Sequence, residues 1–356
     1  MDIKTENFHI GEDRPVFFIA DIAANHDGDL NRAKDLIWIS AEAGADCAKF
    51  QHFSADTIVS DYGFKDLGSQ QSHQKSWKKS VYDVYKEASL NPEWTAELKE
   101  TCDEAGIVFM TSPYSKELVD YVDEYVTAYK IGSGDVTWLE IIKHMASKGK
   151  PLLLATGASS MNDVQRAMSV IETAGIPSVL MQCNTNYTAS DQNYDFINLN
   201  VLKAYRKHYP NILLGLSDHT HGCSTVLGSI ALGARVIEKH FTDDCDREGP
   251  DHKFSMNPKT WEEMVDRSRE LEASLGMETK VVAENEQETV VLQRRALRAT
   301  RDLHEGIIIE SKDFFPLRPC PEGALEPYEL ENILGRELGC KIEEGDVIKW
   351  ENLKQQ

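Results

Sequence analysis

Two lysines and two histidines stand at or near the ends of short apolar runs. Lys49 lies in Cys47-Ala48-Lys49-Phe50-Gln51 and Lys130 in Ala128-Tyr129-Lys130-Ile131. His219 follows Ile212–Leu216 by way of Ser217-Asp218, and His240 closes Val236-Ile237-Glu238-Lys239-His240. A lysine taken alone reads as a surface residue with a buried stem. Inside an apolar run, however, burial of the ammonium is costly unless an anion meets it. With Thr111, Ser112, Ser133, Thr156, Thr185 and Ser217 also following such runs, the two lysines suit an oxyanion or phosphate cradle. The two histidines, close to carboxylates such as Asp21, Asp218 and Glu238, suit a shared divalent ion, although a lone histidine would read as a satisfied core residue.

That chemistry needs elements that bring all the run ends to one rim. Eight runs qualify: Val16–Asp21, Cys47–Gln51, Val108–Thr111, Ala128–Ile131, Leu152–Ala155, Val179–Gln182, Ile212–Leu216 and Val236–His240. Their length and lack of strict alternation suit parallel strands covered on both faces. Most intervals read as amphipathic helices, for example Leu30–Ala43 before Gly44, and Asn162–Ala174 before Gly175. The pattern predicts an α/β fold, a (β/α)8 TIM barrel, over residues 10–275, with the active site at the strands' C-terminal ends. A doubly wound open sheet is the alternative, but no GxGxxG or Walker loop follows a strand. The stretch from Phe53 to Leu90 exceeds a simple helix, and His52–Lys79 is expected to form a lid or excursion at the barrel mouth.

The helical pattern ends near Leu275-Gly276, and a polar, acidic stretch follows. The domain expectation is a catalytic barrel over 1–280, a linker over 281–291 and a small strand-containing domain over 292–356. In the last, Ala296–Thr300, Ile307–Ile309 and Val347–Trp350 look β-like.

The chain has 356 residues and a net charge of −21, which opposes binding to nucleic acid or acidic membranes. No apolar run is long enough to span a bilayer. Seven scattered cysteines without CxxC argue against a disulfide framework or zinc knot. With no secretory signal pattern at the first residues, a reducing cytoplasm is the expected location.

Several strings together resemble one family: FFIADIAANHDG, AKFQ, YKIGSGD, GLSDHT, EKHFTDDCDREGPDHKFSMNP and RATRDLHEGIIIESKDFFPLRP. They are similar, in order and over nearly the whole chain, to the sialic acid (N-acetylneuraminate) synthases, with the last string resembling their antifreeze-like (SAF) domain. The resemblance implies condensation of phosphoenolpyruvate with an N-acetylated or related hexose to a nine-carbon 2-keto-3-deoxy acid, releasing phosphate. It implies a divalent metal, Mn2+ or Mg2+, on His219 and His240, and a domain-swapped homodimer. Lys49, Thr111, Lys130, Ser133, Thr185 and Ser217 match phosphoenolpyruvate positions. Gln51, Asp135, Tyr187 and Asp251 match sugar-side positions, and Arg318 matches an arginine that a partner's tail brings to the sugar. Asp21, Lys49 and Lys130 are the expected catalytic residues, Asp21 orienting or activating water.

Three departures stand out. Asp21 and Asp135 replace the family's usual glutamates, and the Asn184–Thr188 segment lacks the usual proline after Tyr187. Each shortened carboxylate draws back by about 1.5 Å, one C–C bond, and a misplacement of about 1 Å can cost about 100-fold in rate. A pocket re-cut for a different sugar is therefore expected. A metal-dependent hydrolase would call for a carboxylate-rich site without rim lysines, and an inactive sugar-binding homologue would not need intact lysine and histidine positions. Loss of Lys49 (Lys49→Ala) is expected to abolish turnover with the fold unchanged.

Overall fold

In the computed structural model, which describes residues 1–69, 74–75 and 77–355, the chain forms two compact units, Met1–Gly276 and Met277–Gln356. The first opens with an antiparallel pair, β1 (Asp2–Lys4) and β2 (His9–Gly11). The barrel strands follow as β3 (Phe17–Asp21), β4 (Cys47–His52), β5 (Val108–Pro113) and β6 (Tyr129–Ile131). They continue as β7 (Leu152–Ala155), β8 (Ser178–Cys183), β9 (Leu213–Asp218) and β10 (Ala234–His240). All eight pair in parallel and in chain order, and β10 pairs with β3 to close the cylinder. The expected (β/α)8 barrel is thus observed, and the open-sheet alternative is excluded.

Several of the helices between the strands have a local reason to start or stop. Asp29 caps Leu30–Glu42 by accepting from the amides of Asn31 and Arg32. Ser160 and Asp163 form a capping box for Met161–Ala174, and Gly175 ends it in the left-handed conformation. Asn257 and Thr260 do the same at the start of Pro258–Leu275.

Alternation along the strands sorts side chains between two compartments. Phe18, Ala20, Ala48, Phe50, Phe109, Tyr129, Leu214 and Ile237 face outward into the layer shared with the helices. Phe17, Ile19, Cys47, Met110, Leu153, Val179, Met181, Leu213 and Val236 fill the interior, where Ile3, Phe8 and Ile10 of the first hairpin join them. Sequence periodicity gave no sign of that hairpin, whose strands are three residues each.

Parity also explains a charge that takes no part in the interior. Lys239 faces outward between Glu238 and His240, and its Nζ donates to Asp218 Oδ2 at 2.5 Å and to the Thr220 carbonyl at 2.6 Å. Asp218 further accepts from the hydroxyls of Thr220 and Thr225, both at 2.8 Å. Burial alone would push the Asp218 carboxyl up, but Lys239 and the two hydroxyls more than offset it and hold it below its ordinary value.

The second unit pairs β11 (Ala296–Ala299) with β12 (Phe314–Leu317) in antiparallel register around its own core of Leu297, Phe314, Ile333 and Ile348. β12 is not among the β-like pieces expected in this domain, and it contains Pro316. The polar stretch before this core carries a short exposed helix, Gln287–Gln293. Arg318 is exposed here.

Lys239→Met is expected to lower stability in denaturant unfolding by about 3–5 kcal/mol, because the buried Asp218 carboxylate loses its partner. Adding Asp218→Asn should restore most of the loss; a single-variant cost below about 1 kcal/mol would contradict the pairing.

Candidate active site

The interior-facing register positions at the C-terminal ends of the strands are polar, and they enclose a cavity of about 360 Å3. Asp21 is paired in register with Lys49 on one side and His240 on the other. Glu238 is in register with Ser217. Lys49 Nζ donates to Asp21 Oδ2 at 2.6 Å, and Gln51 Nε2 donates to the same oxygen at 3.1 Å. Lys49 also lies 3.7 Å from Glu238 Oε1, and Lys130 lies 3.2 Å from that oxygen. Asp21 and Lys49 are each 1% exposed, Lys130 2% and Glu238 4%. Burial alone would push Lys49 down, but the neighbouring carboxylates of Asp21 and Glu238 hold its ammonium above the ordinary value.

The loop after β3 is strained where it supports this cluster. Ala23 has φ 46°, a left-handed conformation unfavourable for a side chain with Cβ. Its amide donates to Asp21 Oδ1 at 3.2 Å, fixing the carboxylate that Lys49 meets. Across the cavity Ser133 Oγ accepts from the Gly157 amide at 2.9 Å. A Cβ at position 157 would come within 2.4 Å of the Thr185 methyl and 2.9 Å of that Oγ, so glycine is needed for the approach.

His219 and His240 have ring centroids 5.4 Å apart, with Tyr187 4.4 Å from His219 and Phe254 4.9 Å from His240. His219 Nδ1 donates to the Asn184 carbonyl at 2.8 Å, the outer-shell arrangement that orients a metal-binding imidazole. Burial holds His240 well below its ordinary pKa, so it is a neutral ring, and its Nδ1 is buried without a hydrogen-bond partner. Its Nε2 lies 3.6 Å from Asp21 Oδ2 and its Nδ1 3.9 Å from Asp251 Oδ2. Among the described residues no group of three or more His, Cys, Asp or Glu is placed to hold an ion. The orphaned nitrogen and the oriented partner ring fit a divalent ion taking two protein nitrogens, with water and substrate completing its shell.

The barrel brings together on the cavity Asp21, Lys49, Gln51, Lys130, Ser133, Asp135, Tyr187, Ser217, His219, His240 and Asp251. Thr111 and Thr185 are not among the lining residues. Thr111 has the wrong parity: it faces outward, its hydroxyl donating to the Phe50 carbonyl at 3.0 Å and bonding His52 Nδ1 at 2.7 Å. The adjacent Ser112 faces inward, with Oγ buried and unpartnered. Thr185 packs its methyl toward Gly157.

Cys183, Tyr114 and an aromatic wall were missed as site residues. Counting by twos from Met110 would have selected Ser112 over Thr111 and found Tyr114, and from Met181 would have found Cys183. The wall comes from the long excursion, which contributes Phe53, Ile58, Trp77, Val84, Tyr85 and Ala88 to the cavity. Residues 70–73 and 76, within the expected lid, lie outside the described residues. Asp135 also lines the cavity, and burial pushes its carboxyl up to about 6.

Residues 36–280 match the NeuB family, and residues 294–354 match the SAF domain. The chain belongs to the NeuB family. An N,N'-diacetyllegionaminic acid synthase of Legionella pneumophila is 33% identical over 350 residues, covering 97% of this chain and 96% of its own. An uncharacterized protein of Methanocaldococcus jannaschii is 34% identical, covering 99% and 98%. Among solved structures, an N-acetylneuraminic acid synthetase from Leptospira borgpetersenii superposes with a TM-score of 0.72 at 27% identity, over 82% of this chain and 95% of that one. NeuB membership makes this chain a condensing enzyme of the nonulosonic acid synthase class, as the resemblance implied.

Asp135 offers a check on the site's electrostatics. Its raised folded pKa means that stability present below the unfolded value is lost as pH rises toward 6. Asp135→Asn should therefore stabilise the protein above pH 6, by on the order of 1 kcal/mol after discounting for partial exposure. In thermal melts the gain should shrink at pH 4; a gain independent of pH would contradict the assignment.

Proposed function

We propose that this NeuB-family chain condenses phosphoenolpyruvate with an N-acylated, unphosphorylated hexose such as N-acetylmannosamine or a diacetamido-trideoxyhexose. The product is a nine-carbon 2-keto-3-deoxy acid, and inorganic phosphate is released. The observation that carries the proposal is the buried pair Lys49 and Lys130, lining the same cavity as His219 and His240 in a chain of net charge −21. Such a chain repels anions at long range, so an anionic substrate needs locally gathered cations.

Lys49, Lys130, Ser133, Ser217 and the unpartnered Ser112 hydroxyl are positioned to hold the phosphate and carboxylate of phosphoenolpyruvate. Gln51, Tyr187, Asp135 and Asp251 line the part given to the sugar. Among the described lining residues the only lysines or arginines are Lys49 and Lys130, and the far wall is aromatic and aliphatic. Lys78 and Lys79 of the excursion pair with Glu248 and Glu87. A sugar phosphate would find no counter-charge on that wall, whereas acetamido methyls and a deoxy carbon would bury apolar surface.

His219 and His240 would hold the divalent ion, Mn2+ or Mg2+, which when bound supplies Lewis-acid polarisation of the aldehyde oxygen. In the condensation, C3 of phosphoenolpyruvate bonds to the aldehyde carbon and water adds at C2. The C–O bond to phosphate then breaks to leave the 2-keto group, and the two protons of water end on the new hydroxyl and on phosphate. Asp21 Oδ2 already accepts from Lys49 and Gln51, which suits it to orienting the C2 water as well as the ammonium. The lysines offset charge that builds on the departing phosphate. The reading extends to a cytoplasmic homodimer with exchanged tails and Arg318 on the sugar. No described helix is long and apolar enough to cross a membrane.

Purified protein with phosphoenolpyruvate, Mn2+ and a panel of aldoses should release phosphate only when a suitable aldose is present. Lys49→Met or Lys130→Met should lower kcat/KM by about a thousandfold or more. The buried ion pairs revise the expectation of an unchanged fold, since loss of Lys49 leaves Asp21 and Glu238 short of a partner at a cost of about 3 kcal/mol. Aldose-independent release, or near-normal turnover in either variant, would refute the proposal.

A further inference from the structure

Glu238 occupies the centre of the place given above to phosphoenolpyruvate. Its Oε1 lies 3.2 Å from Lys130 Nζ and 3.7 Å from Lys49 Nζ, and accepts from Ser217 Oγ at 3.3 Å. All three are groups that the proposed function gives to the substrate. Its Oε2 is buried without a hydrogen-bond partner, on a residue that lines the cavity and is 4% exposed. A buried carboxylate oxygen of this kind is costly unless something compensates it.

We propose that Glu238 is a resident counter-ion which stands in for the substrate's anionic group, aligning Lys49 and Lys130 for turnover while weakening the binding of phosphoenolpyruvate. Two cations converging on one small volume repel each other unless an anion lies between them. Glu238 supplies that anion before substrate arrives, so both ammonium groups are already aimed at a common point. The incoming phosphate or carboxylate must then share or take over these donors within reach of a like charge, which opposes binding. Preorganisation of this kind costs ground-state affinity and aids the chemical step. A purely structural ion pair predicts something else: its removal would loosen the lysines and weaken both binding and turnover.

This inference rests on the reading that phosphoenolpyruvate lies on the lysines, and calorimetry separates the two claims. The native protein is titrated with phosphoenolpyruvate and, separately, with inorganic phosphate, then compared with Glu238→Gln and Glu238→Asp; kcat and KM are measured alongside. Glu238→Gln should lower the phosphoenolpyruvate Kd by about 10-fold, since a like charge is gone, and lower kcat by about 100-fold, since the lysines lose their alignment. Inorganic phosphate should bind more tightly in the same direction. Glu238→Asp draws the carboxylate back by about 1.5 Å, and should shift both quantities the same way by less, which keeps the test available if the glutamine variant does not fold. Native protein that binds no phosphoenolpyruvate would overturn the proposed function and this inference together. Native binding with equal or weaker binding in the variants would overturn this inference alone.

Discussion

Two lysines are buried inside a barrel with two carboxylates held among them, which is what makes their burial tolerable. Asp21 and Glu238 alternate with Lys49 and Lys130 around a volume from which bulk water is largely excluded, and each ammonium sits within 3.2 Å of a carboxylate oxygen. Everything else at the mouth serves that arrangement. Strand register sets Asp21 beside Lys49 and His240, the strained turn at Ala23 fixes the first carboxylate, and parity turns Lys239 and Asp218 away into a separate buried pair. A cluster of this kind contributes little net stability, because desolvation consumes most of the Coulomb attraction. Its use is a preset field that an anionic substrate meets without further rearrangement.

The two histidines adjoin this cluster, His240 beside Asp21. His240 remains neutral because burial outweighs its carboxylate neighbours, and His219 is oriented by a backbone carbonyl. The aromatic wall from the excursion after β4 then encloses an apolar space beside the charged one. One cavity thus sets two lysines, two histidines and an aromatic wall side by side, which is the arrangement the proposed function uses.

The barrel was legible in the sequence because parallel strands buried on both faces leave short, mostly apolar runs, even where Lys49 and Lys130 interrupt two of them. The catalytic end was legible too, since polar residues follow those runs. Facing was not: a run without alternation hides which of two neighbours points inward, so Thr111 was chosen where Ser112 lines the cavity. Residues far in sequence from the strand ends, such as Trp77 and Tyr85, join the wall through tertiary packing that carries no periodic signature. The first hairpin is too short for periodicity, and Phe314–Leu317 contains Pro316, a residue that argues against a strand. The roles of Asp21 and Glu238 as counter-ions needed distances, because composition shows a carboxylate but not its partner.

On the proposed function, the lysine-lined subsite holds phosphoenolpyruvate during a condensation that breaks its C–O bond. Phosphoenolpyruvate labelled with 18O at the bridging oxygen tests this most directly, with the released phosphate read by mass spectrometry in the presence of Mn2+ and an accepted aldose. Full retention of the label in phosphate, together with incorporation of solvent oxygen into the 2-keto group, is the predicted result. Label left on the organic product would mean P–O cleavage and would contradict the account.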